Sequence, residues 1–121
     1  MLYAILSNMP RGSMCEWGSG MGIGIGLAET LGFESYGIEI DPALAAASRV
    51  LLAEFGLSAK VATGSYFDEC RDANIYFTYC WPGQMLRVEE HFLLVAPNNA
   101  RLLICHGAED FRCKVKNVHP G

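Results

Sequence analysis

The chain has 121 residues, 51% hydrophobic and 18% charged, which are the proportions of one folded domain and not of a disordered or fibrous chain. Nine Lys and Arg against thirteen Asp and Glu leave a net charge of −4, so the basic footprint of a DNA-binding protein is lacking and no DNA partner is expected. No apolar run reaches the ~20 residues that span a bilayer, and Met1 to Pro10 does not read as a signal peptide, so a cytoplasmic domain without a membrane partner is expected.

Short apolar runs alternate with longer segments of helical period. Ser13 to Trp17 reads as a first strand, and Gly20 to Leu31 as a helix with Ile23, Leu27 and Leu31 on one face and Gly32 as its stop. Ser35 to Ile40 is a second strand. Asp41-Pro42 then offers an N-cap followed by proline at the first helical position, opening a helix over Ala43 to Phe55. Ala59 to Thr63 and Ile75 to Tyr79 read as the third and fourth strands. Gln84 to Val95 places Leu86, Phe92 and Val95 as an apolar face against Arg87, Glu89 and Glu90. Arg101 to His106 is a fifth strand. Only Gly107 to Asp110 separates it from Phe111 to Val118, too short for a parallel crossover, so the last strand is expected to pair antiparallel with the fifth. Strands alternating with helices predict a single α/β domain: a doubly wound, mostly parallel sheet with helices on both faces and a C-terminal antiparallel edge.

The five cysteines, Cys15, Cys70, Cys80, Cys105 and Cys113, include no C-x-x-C pair, so a disulfide framework or metal site is not expected. Cys15, Cys80 and Cys105 fall in or beside strands and read as buried small hydrophobes. His91 and His119 read as solvated. His106, at the end of the fifth strand, reads as a structural histidine or a proton acceptor. Glu109 and Asp110 read as turn residues.

The chemistry concentrates in Glu16-Trp17-Gly18-Ser19-Gly20-Met21-Gly22, where the first strand gives way to a helix. Glycines there let a ligand approach the backbone, and N–H groups at a helix start are expected to be free for a polar or anionic group. The G-x-G-x-x-G spacing of dinucleotide binders fails in every frame, because position i+5 from Gly18, Gly20, Gly22 and Gly24 is Ile23, Ile25, Leu27 and Glu29. A nucleotide-binding domain for NAD is thereby disfavoured. A tight strand–helix turn without a ligand is the plain alternative.

The pattern that fits is acidic-x-G-x-G-x-G, and with it the chain resembles the class I S-adenosylmethionine-dependent methyltransferases, most of all their small bacterial members. The resemblance covers about residues 13 to 106 and implies the strand order 3-2-1-4-5 and S-adenosyl-L-methionine as cofactor. It places Gly18, Ser19, Gly20 and Gly22 under the methionine part of the cofactor, with Glu16 as the acidic residue that helps hold it. Glu39, 23 positions after Glu16, takes the ribose hydroxyls; Asp41 is the rival carboxylate but reads better as a helix cap. Ile40 packs against the adenine. Gly64, Ser65 and Tyr66 follow the third strand, with the Ser65 hydroxyl where the family often has an acid; Tyr66 and Phe67 serve equally well as core side chains.

Tyr79-Cys80-Trp81-Pro82 follows the fourth strand, where the family faces its methyl acceptor. It lacks the leading amide or acid of the amino-methylating DNA enzymes. Tyr79 is the candidate catalytic residue, and Trp81 and Pro82 are candidate substrate-binding residues, forming an aromatic shelf for an amine or simply ending the strand. The resemblance implies methyl transfer to a small-molecule or protein acceptor. A catalytically silent cofactor-binding module or partner subunit is the alternative, and a homodimer that completes an open cleft is a further expectation.

Overall fold

A computed structural model of the chain describes residues 2–69, 71–80, 82–106 and 110–117. Cys70, Trp81, Glu109, His119 and the end of the last expected strand at Val118 lie outside them.

Six strands, β1 (Ser13–Trp17), β2 (Glu34–Glu39), β3 (Lys60–Thr63), β4 (Ile75–Tyr79), β5 (Arg101–Cys105) and β6 (Phe111–Val115), form one sheet in the order β3-β2-β1-β4-β5-β6. The first five are parallel, and β6 runs antiparallel to β5, with Cys105 opposite Phe111 and Arg101 opposite Val115. The arrangement is the one expected from the alternation of strands and helices. The central strand β1 is flanked on both sides and covered on both faces, which is why Met14 to Trp17 are buried without alternation.

Helices α2 (Ile23–Thr30) and α3 (Pro42–Glu54) lie on one face together with α1 (Leu2–Ser7). Leu6, Ile25, Ala28 and Leu52 meet Met14, Ile75, Phe77 and Leu103 there. α1 is a short element absent from the sequence expectation. Arg11 holds it, its guanidinium donating to the carbonyls of Leu6 (2.9 Å) and Met9 (2.7 Å) and to that of Leu31 (2.5 Å) at the end of α2. Asp41 caps α3 as expected, accepting from the Ala43 N–H at 2.9 Å, with Pro42 in the first turn.

The opposite face is covered by α4 (Met85–Val95), entered through a 3-10 turn at Pro82–Gln84. Val88 and Phe92 of α4 pack on Cys15, Trp17, Tyr76, Leu102 and Ile104. The apolar face expected for this helix is corrected: Leu86 is 68% exposed, whereas Glu89 is 8% exposed. Leu86 lies six residues before Phe92, which turns it about 120° around the helix from the Phe92 stripe. Val88, Phe92 and Val95, at i, i+4 and i+7, form the stripe that meets the sheet. Glu89 forms an ion pair with Arg112 of β6, Nε to Oε1 at 2.8 Å, and a longer one with Lys114 at 3.9 Å.

Because α2 follows β1 onto one face and α4 follows β4 onto the other, the chain diverges between these adjacent strands. That is the topological switch point of an open α/β sheet, where ligand crevices form at the carboxyl ends of the strands. Among the described residues no helix is long and apolar enough to cross a membrane.

Candidate functional site

The glycine turn after β1 fills the switch point. Gly18, Gly20 and Gly22 have φ of +75°, +54° and +85°, a backbone that a side chain would strain, and a Cβ at Gly18 or Gly20 would point into open space. β2 shapes the turn. The Gly18 and Ser19 N–H groups donate to the Ile38 carbonyl at 2.8 and 3.1 Å, and the Gly20 N–H donates to Glu39 Oε1 at 2.7 Å. The Gly22 N–H donates to the Ser19 carbonyl at 2.9 Å. The helix expected from Gly20 starts only at Ile23, and the donors of the turn before it are taken by the protein's own acceptors. Four N–H groups of the turn point inward, and the turn offers an uncluttered shelf instead of an anion nest.

Glu39 ends β2 with 7% exposure, and its second oxygen accepts from the Asp41 N–H at 2.9 Å. Its carboxylate thus ties together the glycine turn, the end of β2 and the start of α3. Gly37 permits the same closeness, since a Cβ there would stand 2.6 Å from Ser19 Oγ. That hydroxyl is buried without a hydrogen-bond partner.

Glu16 is tucked behind the turn, beneath α2. A Cβ on Gly24 would lie 2.6 Å from its Oε1, an oxygen with no hydrogen-bond partner. Burial, and secondarily the charge of Glu39, push its carboxyl up to about 8, opposed by a hydrogen bond from the Ile25 backbone. At neutral pH Glu16 is a protonated, uncharged acid.

Beside the turn lies a cavity of about 360 Å3, bordered by Gly18 after β1, Ile40 after β2, and Gly64, Ser65 and Tyr66 after β3. Ile40, 69% exposed, projects freely. Tyr66 is half-buried and stacks on Trp17 with centroids 5.1 Å apart and planes 6° from parallel. Trp17 is 2% exposed and belongs to the strand, not to the turn. Five of the ten expected cofactor residues border this cavity. Glu16, Ser19, Gly20 and Glu39 build the turn behind it, while Gly22 packs toward Ser48 and Leu52 of α3.

Tyr79 follows the residue paired with Trp17, so it emerges beside the glycine turn with 57% exposure. The Cys80 thiol is buried and pushed up by that burial, then by Glu89 and Cys105, which leaves it protonated and unreactive. Pro82 opens the 3-10 turn; Trp81 lies outside the described residues. His106 sits at the far end of β5, its N–H donating to the Asp110 carbonyl at 3.1 Å. Three further residues belong to the cavity region, of which Arg87 and His91 carried no functional expectation. Phe67 and Arg87 complete its border, with the Arg87 guanidinium 4.1 Å above the Phe67 ring. His91, expected to be solvated, lies among Trp17, Tyr66 and Phe67 with its Nε2 2.8 Å from the Tyr66 carbonyl.

No protein-family model matches the chain, and no curated protein matches its sequence. Solved structures do match. An RNA methyltransferase from Salinibacter ruber in complex with S-adenosyl-L-homocysteine is 18% identical with a TM-score of 0.78, the alignment covering 90% of this chain and 83% of that one. The mitomycin 7-O-methyltransferase MmcR is 19% identical with a TM-score of 0.74, over 92% of this chain and 36% of that one. The magnesium protoporphyrin IX methyltransferase ChlM from Synechocystis PCC 6803, with bound S-adenosylhomocysteine, is 14% identical with a TM-score of 0.71, over 85% of this chain and 52% of that one. The chain thus spans most of the Salinibacter protein but about a third to a half of the other two. Its fold is the Rossmann-like fold that these class I methyltransferases share.

Proposed function

We propose that this chain binds S-adenosyl-L-methionine at the switch point and acts as a methyltransferase on a small-molecule or protein acceptor. The observation that carries the reading is convergence. Residues from three separate strand ends, Gly18, Ile40 and Gly64 to Tyr66, border one cavity at the positions where the family the sequence resembles holds its cofactor, with Ser65 in place of the usual acid. Methyltransferases of the same fold, two of them solved with S-adenosylhomocysteine, support it.

The residues present fit such a ligand. The side-chain-free turn at Gly18 and Gly20 leaves room for its methionine part, the resemblance assigns the ribose to Glu39, whose oxygens accept from the Gly20 and Asp41 N–H groups, and Ile40 and Tyr66 supply apolar surface for the adenine. When bound, the cofactor's sulfonium supplies an electrophilic methyl group, so the protein's task is alignment and exclusion of water. Tyr79, beside the turn, is the residue placed to touch an acceptor. A second reading, a silent binding module or partner subunit, is favoured by the openness of that acceptor side, where Tyr79 is 57% exposed.

Calorimetric titration of S-adenosylhomocysteine into the purified protein, with NADH as comparator, tests the proposal. Micromolar binding is expected, with NADH inert. Glu39→Gln, which sets an amide N–H2 against a backbone N–H, is expected to weaken binding at least tenfold, about 1.4 kcal/mol. A folded wild type that takes up no S-adenosylhomocysteine overturns the reading. Binding without turnover on amine, hydroxyl and protein acceptors selects the silent module.

A further inference from the structure

The connection from β3 to β4, residues 64–74, forms one wall of the cavity without regular structure of its own among the described residues. Its internal hydrogen bonds are local: Phe67 N–H to Ser65 Oγ at 3.2 Å, and Asp68 and Glu69 N–H to the Ser65 carbonyl at 3.0 and 2.9 Å. Such bonds shape the turn but do not fix where it sits. Its far end is tied to the sheet, the Asn74 N–H donating to the Ser13 carbonyl at 3.1 Å and the Tyr76 hydroxyl to the Arg71 carbonyl at 2.7 Å; its cavity end, residues 64–69, is placed by the Gly64 N–H on the Glu39 carbonyl at 2.9 Å, the Tyr66 ring on Trp17, and contacts from α4.

Two α4 side chains, at i and i+4 on one helix face, reach this wall. Arg87 covers Phe67 from outside. His91 lies deeper, its ring 5.1 Å from that of Trp17 and 4.8 Å from that of Phe67, with Nε2 2.8 Å from the Tyr66 carbonyl. A nitrogen facing a carbonyl at that distance carries the proton and donates it. Phenylalanine would fill a slot lined by aromatic rings equally well, so packing alone does not account for histidine here. The donor does, because it satisfies a half-buried carbonyl that lies outside the strands.

We propose that His91 is a positioning residue for the cofactor pocket: through the Tyr66 carbonyl it clamps the β3–β4 connection against α4, and so sets the wall on which the adenosyl group rests. This deepens the cofactor reading above and rests on it.

Two variants of the full chain separate the clamp from packing. His91→Phe keeps the ring and removes the donor; His91→Gln keeps a donor of similar reach and removes the ring. Amide hydrogen exchange at Phe67, Asp68 and Glu69 is measured without ligand, and S-adenosylhomocysteine affinity by calorimetry. His91→Phe is expected to speed exchange at these amides about tenfold and weaken binding about tenfold, with thermal midpoint nearly unchanged. His91→Gln is expected to stay within threefold of wild type in both. Unchanged exchange in His91→Phe overturns the clamp, as does a loss in His91→Gln equal to that in His91→Phe. A wild type that takes no S-adenosylhomocysteine overturns the role together with the cofactor reading, and the ligand-free exchange data tell that failure apart from failure of the clamp.

Discussion

Glu16 shows how one buried side chain couples the motif to stability. Its carboxyl titrates at about 8 in the folded chain against 4.5 in the unfolded one. Between these values the folded state holds the extra proton, so stability is greatest below 4.5 and falls as pH rises toward 8, by at most about 1.4 kcal/mol per pH unit. Urea unfolding at pH 5, 7 and 9 is expected to show this decline in the wild type, and Glu16→Gln is expected to flatten it and to be the more stable protein at pH 9. A second prediction concerns Gly37. Gly37→Ala presses a methyl group against Ser19 Oγ and Cβ, 2.6 and 2.7 Å away, and displaces the glycine turn. Affinity for S-adenosylhomocysteine is expected to fall at least tenfold, read by calorimetry.

Single residues also mark where the sequence was readable. Glycine spacing and Asp41-Pro42 are local patterns: the glycines form the turn after β1, and Asp41 caps α3 as expected. His91 was not readable, because its partner is a carbonyl 25 residues away in the chain. The inward turn of the Gly18, Ser19 and Gly20 N–H groups was hidden for the same reason: their acceptors belong to β2.

At the scale of elements, hydrophobic runs located the strands, and β4 matches its expected limits, Ile75–Tyr79. What the runs did not carry was rotation and short helices. α1 has six residues and no acidic or basic residue to mark its ends, so nothing in its sequence sets it apart from a loop. In α4 the charge of Glu89 suggested solvent, but the residue is sequestered against β6, where Arg112 and Lys114 neutralise it. Glu89 is in effect the peg that fastens the antiparallel edge to the helical layer. Glu89→Ala is expected to cost about 1 kcal/mol, discounted for the half-exposed Arg112. Faster amide exchange confined to Phe111–Val115 is the signature to look for, and uniform exchange across the sheet would contradict it.

At the scale of the whole molecule, the two faces of the sheet are unequally covered. Three helices share one face, while α4 covers the other with Val88 and Phe92 as its buried contacts. Phe92 is fully buried, so Phe92→Ala is expected to cost about 3 to 5 kcal/mol, a large fraction of the roughly 5 to 15 kcal/mol a domain holds. Chemical denaturation measures it directly.

The central place of β1 has a consequence for the protein's birth on the ribosome. Thr78 of β4 donates to the Trp17 carbonyl across 61 residues of chain, so one flank of β1 has no neighbour until β4 is made. At roughly 5 to 20 residues per second that interval lasts about 3 to 12 s. Throughout it, a nascent chain holding β1 to β3 presents an unpaired strand edge and an uncovered Trp17. A fragment ending at residue 66 should therefore aggregate or engage a holding chaperone, whereas the full chain buries that edge as soon as β4 arrives.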